Sequence, residues 1–188
     1  MIRSPEYINC GGYKLETALD VFNINPKNCV CVDIGISRGG FTECLLERGA
    51  KKVYGIDVGA SQFFESTHRN KKDVEEKVDL RSLILPEKSD LTMIDISFIS
   101  LTYILKDISN LTKEGGNIIL LIKPQFEVPK EHILKDGIVD ADHREEAIKK
   151  VCDYAGTLGL LNKGITESPV KGVDGNMEFF ALFERKQN

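Results

Sequence analysis

Apolar residues run along the chain in short dense blocks, each closed by an acid, a glycine or a proline. The blocks at 29–34 (CVCVDI), 53–56, 91–96 (LTMIDI) and 118–122 do not alternate with polar residues. Continuous runs of this length predict strands buried on both faces of a parallel sheet. Between the first two blocks, Phe41, Cys44, Leu45 and Leu46 share one helical face, and Gly49 follows as a stop. A helix is predicted over 13–21, with Leu15, Ala18 and Leu19 inward. A second crossover helix opens at 58–62 and uses Phe63 and Phe64. Further helices are predicted over 101–111 and 145–154, the latter turning Ala147, Ile148 and Val151 inward.

Weaker signals complete the sheet. Residues 74–78 read as an edge strand, 158–165 as a strand broken by Gly159, and 177–183 as the last strand. Residues 166–176 hold no helix, so the last two strands form a hairpin. The expectation is a single α/β domain over 1–188. It is Rossmann-like, with a mostly parallel seven-stranded sheet and a final antiparallel strand, the architecture of class I methyltransferases. Residues 1–12 form an irregular N-terminal segment. Residues 125–140 lack periodicity and are long for a connection, which suits a lid.

The stretch 29–57 is one β-α-β unit with a glycine-rich first turn. Gly35, Gly39 and Gly40 bracket the turn, where small residues let a ligand approach backbone N–H groups. Against the dinucleotide fingerprint G-x-G-x-x-G, the middle position is Ser37, between Gly35 and Gly40. Asp33 adds a carboxylate beside the turn. That acid repels a pyrophosphate and suits a cationic ligand such as S-adenosylmethionine. Asp57 closes the second strand, where a ribose diol is held in such folds. Asp79 lies where the base of a bound nucleoside would sit.

Charged residues at strand ends carry the remaining chemistry. Asp95 lies near the carboxyl end of the third block, facing the crevice where α/β sheets bind ligands. Lys123 ends the most apolar block and precedes Pro124, which holds it extended. A lysine on so apolar a strand needs an acid or a substrate, and Asp95 is its natural partner. Lys14, at the start of the first helix, reads from the residues alone as a solvated lysine.

Composition narrows the classes. The chain has 188 residues and a net charge of −4, which argues against holding nucleic acid by bulk charge. No apolar run reaches the ~20 residues of a membrane span, and no secretory leader is expected. The cysteines, Cys10, Cys29, Cys31, Cys44 and Cys152, are odd in number and fall largely in core segments, so free thiols and a cytoplasmic location are expected. His68, His132 and His143 form no ligand cluster along the sequence, so no metal site is expected.

Six stretches together carry a specific resemblance: GGYKLETALDVF, DIGISRGGFTECLLERGAKKVYGIDVG, EKVDLR, IDISFIS, GGNIILLIKPQFE and SPVKGVDGNMEF. They resemble the TlyA family, a branch of the FtsJ-like RNA 2′-O-methyltransferases often labelled haemolysin-like. The resemblance implies S-adenosylmethionine as cofactor, held by Asp33, Gly35, Ser37, Gly39, Gly40, Asp57, Asp79 and Asp95. It places the family's catalytic Lys-Asp-Lys-Glu set on Lys14, Asp95, Lys123 and Glu178, revising the reading of Lys14. The implied partner is ribosomal RNA or a ribosomal subunit. Family members usually carry an S4-type RNA-binding domain ahead of this region, which is absent here. Asn9-Cys10 replaces their usual Ser-Arg, and residues 137–139 run to Asp140 without their usual arginine. A homodimer or a separate RNA-binding partner would enlarge the RNA surface. The alternatives are a non-catalytic scaffold that kept the fold and, from the haemolysin label, a membrane-active protein. In the enzymatic reading Lys123 accepts the ribose proton, with Lys14 lowering its pKa. Asp95 then orients it, and Glu178 holds Lys14 or the ribose.

Overall fold

The computed structural model describes residue 7, residues 9–57, the strands 62–67 and 70–74, and residues 83–187. Its centre is β1 (Val30–Ile34), buried at every position. It pairs in parallel with β2 (Lys52–Asp57) on one side and β5 (Ser89–Ile94) on the other. β6 (Thr112–Ile122) extends the parallel set beyond β5. β8 (Phe179–Arg185) runs antiparallel to β6, and β7 (Leu160–Glu167) forms the outer edge against β8. The class and the antiparallel last strand are as the sequence led one to expect.

The strand alternation sorts the core into two layers. Cys31, Val53, Met93, Leu121 and Phe180 pack with Leu15 and Leu19 of α1 (Cys10–Val21) and Phe41 and Leu45 of α2 (Gly40–Glu47). Val32, Ile34, Ile94, Leu120 and Phe183 face Leu105 and Ile108 of α3 (Leu105–Ser109) and Val151 and Ala155 of α4 (Ala141–Thr157). Residue 33 shares a parity with Cys31, so Asp33 faces the layer of α1 and α2.

Three expectations are corrected. Residues 62–67 are not a crossover helix. They form β3 (Gln62–Thr67), antiparallel to β2 and paired with β4 (Asn70–Val74) in a hairpin. Adjacent phenylalanines followed by Ser66 and Thr67 have poor helix and good strand propensity. Among the described residues the sheet therefore has eight strands, not seven, in the order β4-β3-β2-β1-β5-β6-β8-β7. Most of the expected edge strand at 74–78 lies outside the described residues, and Val74 ends β4. The helix expected over 101–111 is a 3-10 turn (Leu101–Tyr103) and the short α3. Gly115 and Gly116 lie inside β6. Gly115 has φ +74°, and the register against β5 shifts between Ser89 and Leu91.

Candidate functional site: a charged crevice at the ends of the parallel strands

The carboxyl ends of β1, β5 and β6 converge with the start of α1. Asn9 caps α1, its Oδ1 accepting from Gly11 N–H at 2.8 Å. The same side chain lies against Gly40, where a Cβ would stand 2.1 Å from Oδ1. The small residue lets the first turns of α1 and α2 meet. Asn9, outside the expected site, thus joins the two helices, and an Asn ahead of a paired glycine was its sequence signal.

Lys14 sits one turn into α1, and it is buried, not solvated. Its Nζ donates to Glu178 Oε2 at 2.6 Å, and Glu178 is also buried. Lys123 follows β6 with φ −112° and ψ 99°, the extended backbone that Pro124 enforces. Its Nζ lies 2.6 Å from Asp95 Oδ1 and donates to Ser97 Oγ at 2.9 Å. The angle to Asp95 is off the hydrogen-bond line, leaving an ion pair and an Oδ1 without an aligned donor. The four charged residues are therefore two ion pairs, and the neighbour each lysine meets is an acid.

Asp33 completes the charge pattern. Thr42 Oγ1 donates to its Oδ2 at 2.7 Å, while its buried Oδ1 has no partner among the described residues. Burial, opposed by the Thr42 bond and reinforced by the Asp95 charge, raises its pKa to about 7. A third buried carboxylate, Glu127, clamps the loops that carry the site. It accepts from Ser100 Oγ at 2.5 Å and Leu101 N–H at 2.8 Å, and Lys150 of α4 donates to its carbonyl at 2.7 Å. Nothing in the sequence distinguished Glu127 from the acids around it.

Lys14, Asp33, Gly35, Ser37, Gly40, Asp95, Lys123 and Glu178 all line one crevice of ≈ 370 Å³, with exposed Arg38 and Val173 at its margin. Gly39 is the N-cap of α2, with φ +80°, between Arg38 and Gly40. Ser37 itself takes φ +46°, a left-handed backbone where the fingerprint has glycine. Asp57 ends β2, half-buried, and is not among the lining residues. Asp79 lies outside the described residues. Segment 125–140 is tied to the following loop: Gln125 Nε2 donates to Asp174, and Asn176 bonds Val139 N–H and the Gly137 carbonyl.

A parallel centre flanked on both sides by antiparallel strands, with a charged crevice at the strand ends, is the Rossmann-like fold of class I methyltransferases. The sequence profile of the family described as "FtsJ-like methyltransferase" matches residues 7–185, and the chain belongs to that family. It is 37% identical over 179 residues to YqxC of Bacillus subtilis, covering 92% of this chain and 64% of that protein. Over 180 residues it is 37% identical to the 16S/23S rRNA (cytidine-2′-O)-methyltransferase TlyA of Mycobacterium tuberculosis, covering 93% of this chain and 67% of that one. A crystal structure from Lactococcus lactis superposes with a TM-score of 0.85 at 35% identity, covering 97% of this chain and 90% of that one.

Proposed function

We propose that the chain transfers a methyl group from S-adenosylmethionine to a ribose 2′-hydroxyl of ribosomal RNA. The observation that carries this reading is the pair of ion pairs, Lys14–Glu178 and Lys123–Asp95, opening on one crevice with Asp33, whose buried Oδ1 has no partner among the described residues. The crevice volume lies within the usual range for small-molecule sites. A buried carboxylate with one oxygen lacking a donor suits a cationic ligand, so the residues present fit the cofactor. Asp33, Asp95, Ser37 and the glycines of the turn would hold it. When bound, it supplies an electrophilic methyl on a sulfonium sulfur whose leaving group is a neutral thioether.

The 2′-hydroxyl is a weak nucleophile, so its proton must be accepted, or its developing charge stabilised, as it attacks. Lys123 is placed for that task at the tip of β6. Asp95 holds the Lys123 Nζ at 2.6 Å and so aims it into the crevice. Lys14 cannot act on Lys123 as a bare cation, since Glu178 neutralises it at 2.6 Å. Its role is to hold the ribose or its flanking phosphate together with Glu178. Phe98, three residues past Asp95, is 87% exposed with φ +72° and packs beside Phe126 with ring centroids 5.4 Å apart. An exposed aromatic there offers a stacking face to an RNA base.

The substrate class comes from the relative named for cytidine 2′-O-methylation of ribosomal RNA. A cytoplasmic location follows from that substrate, and no described helix is long and apolar enough to cross a membrane. The rest of the RNA surface comes from a second copy or a separate RNA-binding partner, and segment 125–140 acts as the lid. Transfer of tritiated methyl from S-adenosylmethionine to ribosomal subunits, with ribose-specific nucleoside analysis, tests the reading. Lys123→Ala should lower transfer by roughly 10²–10⁴-fold while cofactor affinity persists. Label on a base, or full activity in that variant, would refute it.

A further inference from the structure

The histidines that stand apart along the sequence meet in space. His132 lies on the 3-10 turn Lys130–His132, within the connection that leaves Lys123, and His143 and Glu146 lie on the first turns of α4. One ligand atom from each falls within 4.8 Å of the others. This overturns the expectation that no histidines cluster. The sequence hid the cluster because the loop between the two rings has no periodicity from which its path could be read.

We infer that His132, His143 and Glu146 form a binding site for a divalent ion of the zinc, cobalt or nickel type. Three features of the geometry carry this. First, His143 Nδ1 lies 2.8 Å from Asp140 Oδ1, which also caps α4 by accepting from His143 N–H at 3.0 Å. A carboxylate only accepts, so Nδ1 carries the proton and Nε2 presents a lone pair. A carboxylate behind a histidine is the usual outer support of a metal-binding imidazole. Second, His132 Nδ1 is buried without a hydrogen bond, and Glu146 Oε2 stands 3.3 Å from it. A buried ring nitrogen beside a carboxylate, neither aligned on the other, is satisfied by an ion between them. Third, His143 and Glu146 are three residues apart on one helix and so share a face, which His132 approaches from outside.

The donor set chooses the ion. Two imidazoles and one carboxylate suit zinc, cobalt and nickel, whereas magnesium and calcium take oxygen ligands. The rings are stacked, with centroids 3.7 Å apart and planes 28° from parallel. One ion cannot lie in the plane of both, so binding turns one imidazole out of the stack. That is a side-chain rotation, with the fourth position left to water. The ion would fasten the middle of the 125–140 connection to α4, the helix whose Lys150 already reaches Glu127. The inference stands apart from the methyl-transfer reading, since none of its residues lines the crevice.

Titration of chelator-treated protein with Zn²⁺ by calorimetry, and with Co²⁺ by visible absorption, tests the site. Wild type should take up one ion, with nitrogen–oxygen cobalt bands and a raised melting temperature. His132→Ala and His143→Ala should lose both responses while keeping the wild-type circular dichroism spectrum. Asp140→Asn keeps a capping side chain and should weaken binding roughly 10–100-fold. No saturable uptake by wild type would overturn the inference. So would uptake that survives in both histidine variants, or thiolate-to-cobalt bands, which would assign the ion to the free cysteines.

Discussion

Asp33 shows how one buried acid can set the behaviour of a site. Its pKa of about 7 means that the ligand-free protein holds a proton there which the unfolded chain releases near pH 4. Folding stability should therefore fall as pH rises from about 4 to 7 and level off above, a loss on the order of a few kcal/mol. A bound cation favours the carboxylate, so cofactor affinity should run the other way. It should rise about tenfold per pH unit up to about 7 and then flatten. Asp33→Asn should remove both slopes, raising stability at pH 8 and weakening the cofactor there. Urea unfolding and calorimetry at pH 6, 7 and 8 would check this; a wild-type affinity flat across that range would contradict it. At this scale the sequence was informative where a charge broke an apolar run. Asp33, Asp95 and Lys123 stood out for that reason. Lys14 did not, because its burial depends on Glu178, which is remote in sequence. The roles of Asn9 and Glu127 likewise exist only through contacts that folding creates.

Among the elements, strands buried on both faces were the most legible, since β1, β2, β5 and the end of β6 are buried at nearly every step and largely apolar. The hairpin of β3 and β4 was not, because its residues mix strand propensity with charge and show neither period cleanly. The turn from β1 to α2 was legible as a ligand-binding turn, but the structure adds a tighter constraint. Gly35 has φ +88°, and a Cβ there would stand 1.9 Å from the Asp95 carbonyl oxygen. The ends of β1 and β5 can come together only without a side chain at this point. Gly35→Ala should cost about 1–3 kcal/mol by overpacking, with added left-handed backbone strain. It should also move Asp95 and weaken cofactor binding. A variant with wild-type urea midpoint and cofactor affinity would show that the turn yields more easily than this packing implies.

Across the whole molecule, the two core layers meet the crevice through α1 on one side and the last strands on the other. The Lys14–Glu178 pair joins them where both partners are buried. Removing one partner leaves an uncompensated buried charge, so Glu178→Ala should destabilise by about 3–5 kcal/mol. Replacing both, as in Lys14→Met with Glu178→Ala, should recover part of that loss. Strictly additive losses in denaturant titrations would mean that the two groups do not depend on each other.

That pair also sets a clock. Lys14 and Glu178 are 164 residues apart, an interval that translation at roughly 5–20 residues per second covers in about ten to thirty seconds. Throughout that time the first helix has its lysine but not the acid that permits its burial. The crevice therefore stays unfinished on the ribosome until Glu178, one residue ahead of β8, has been added.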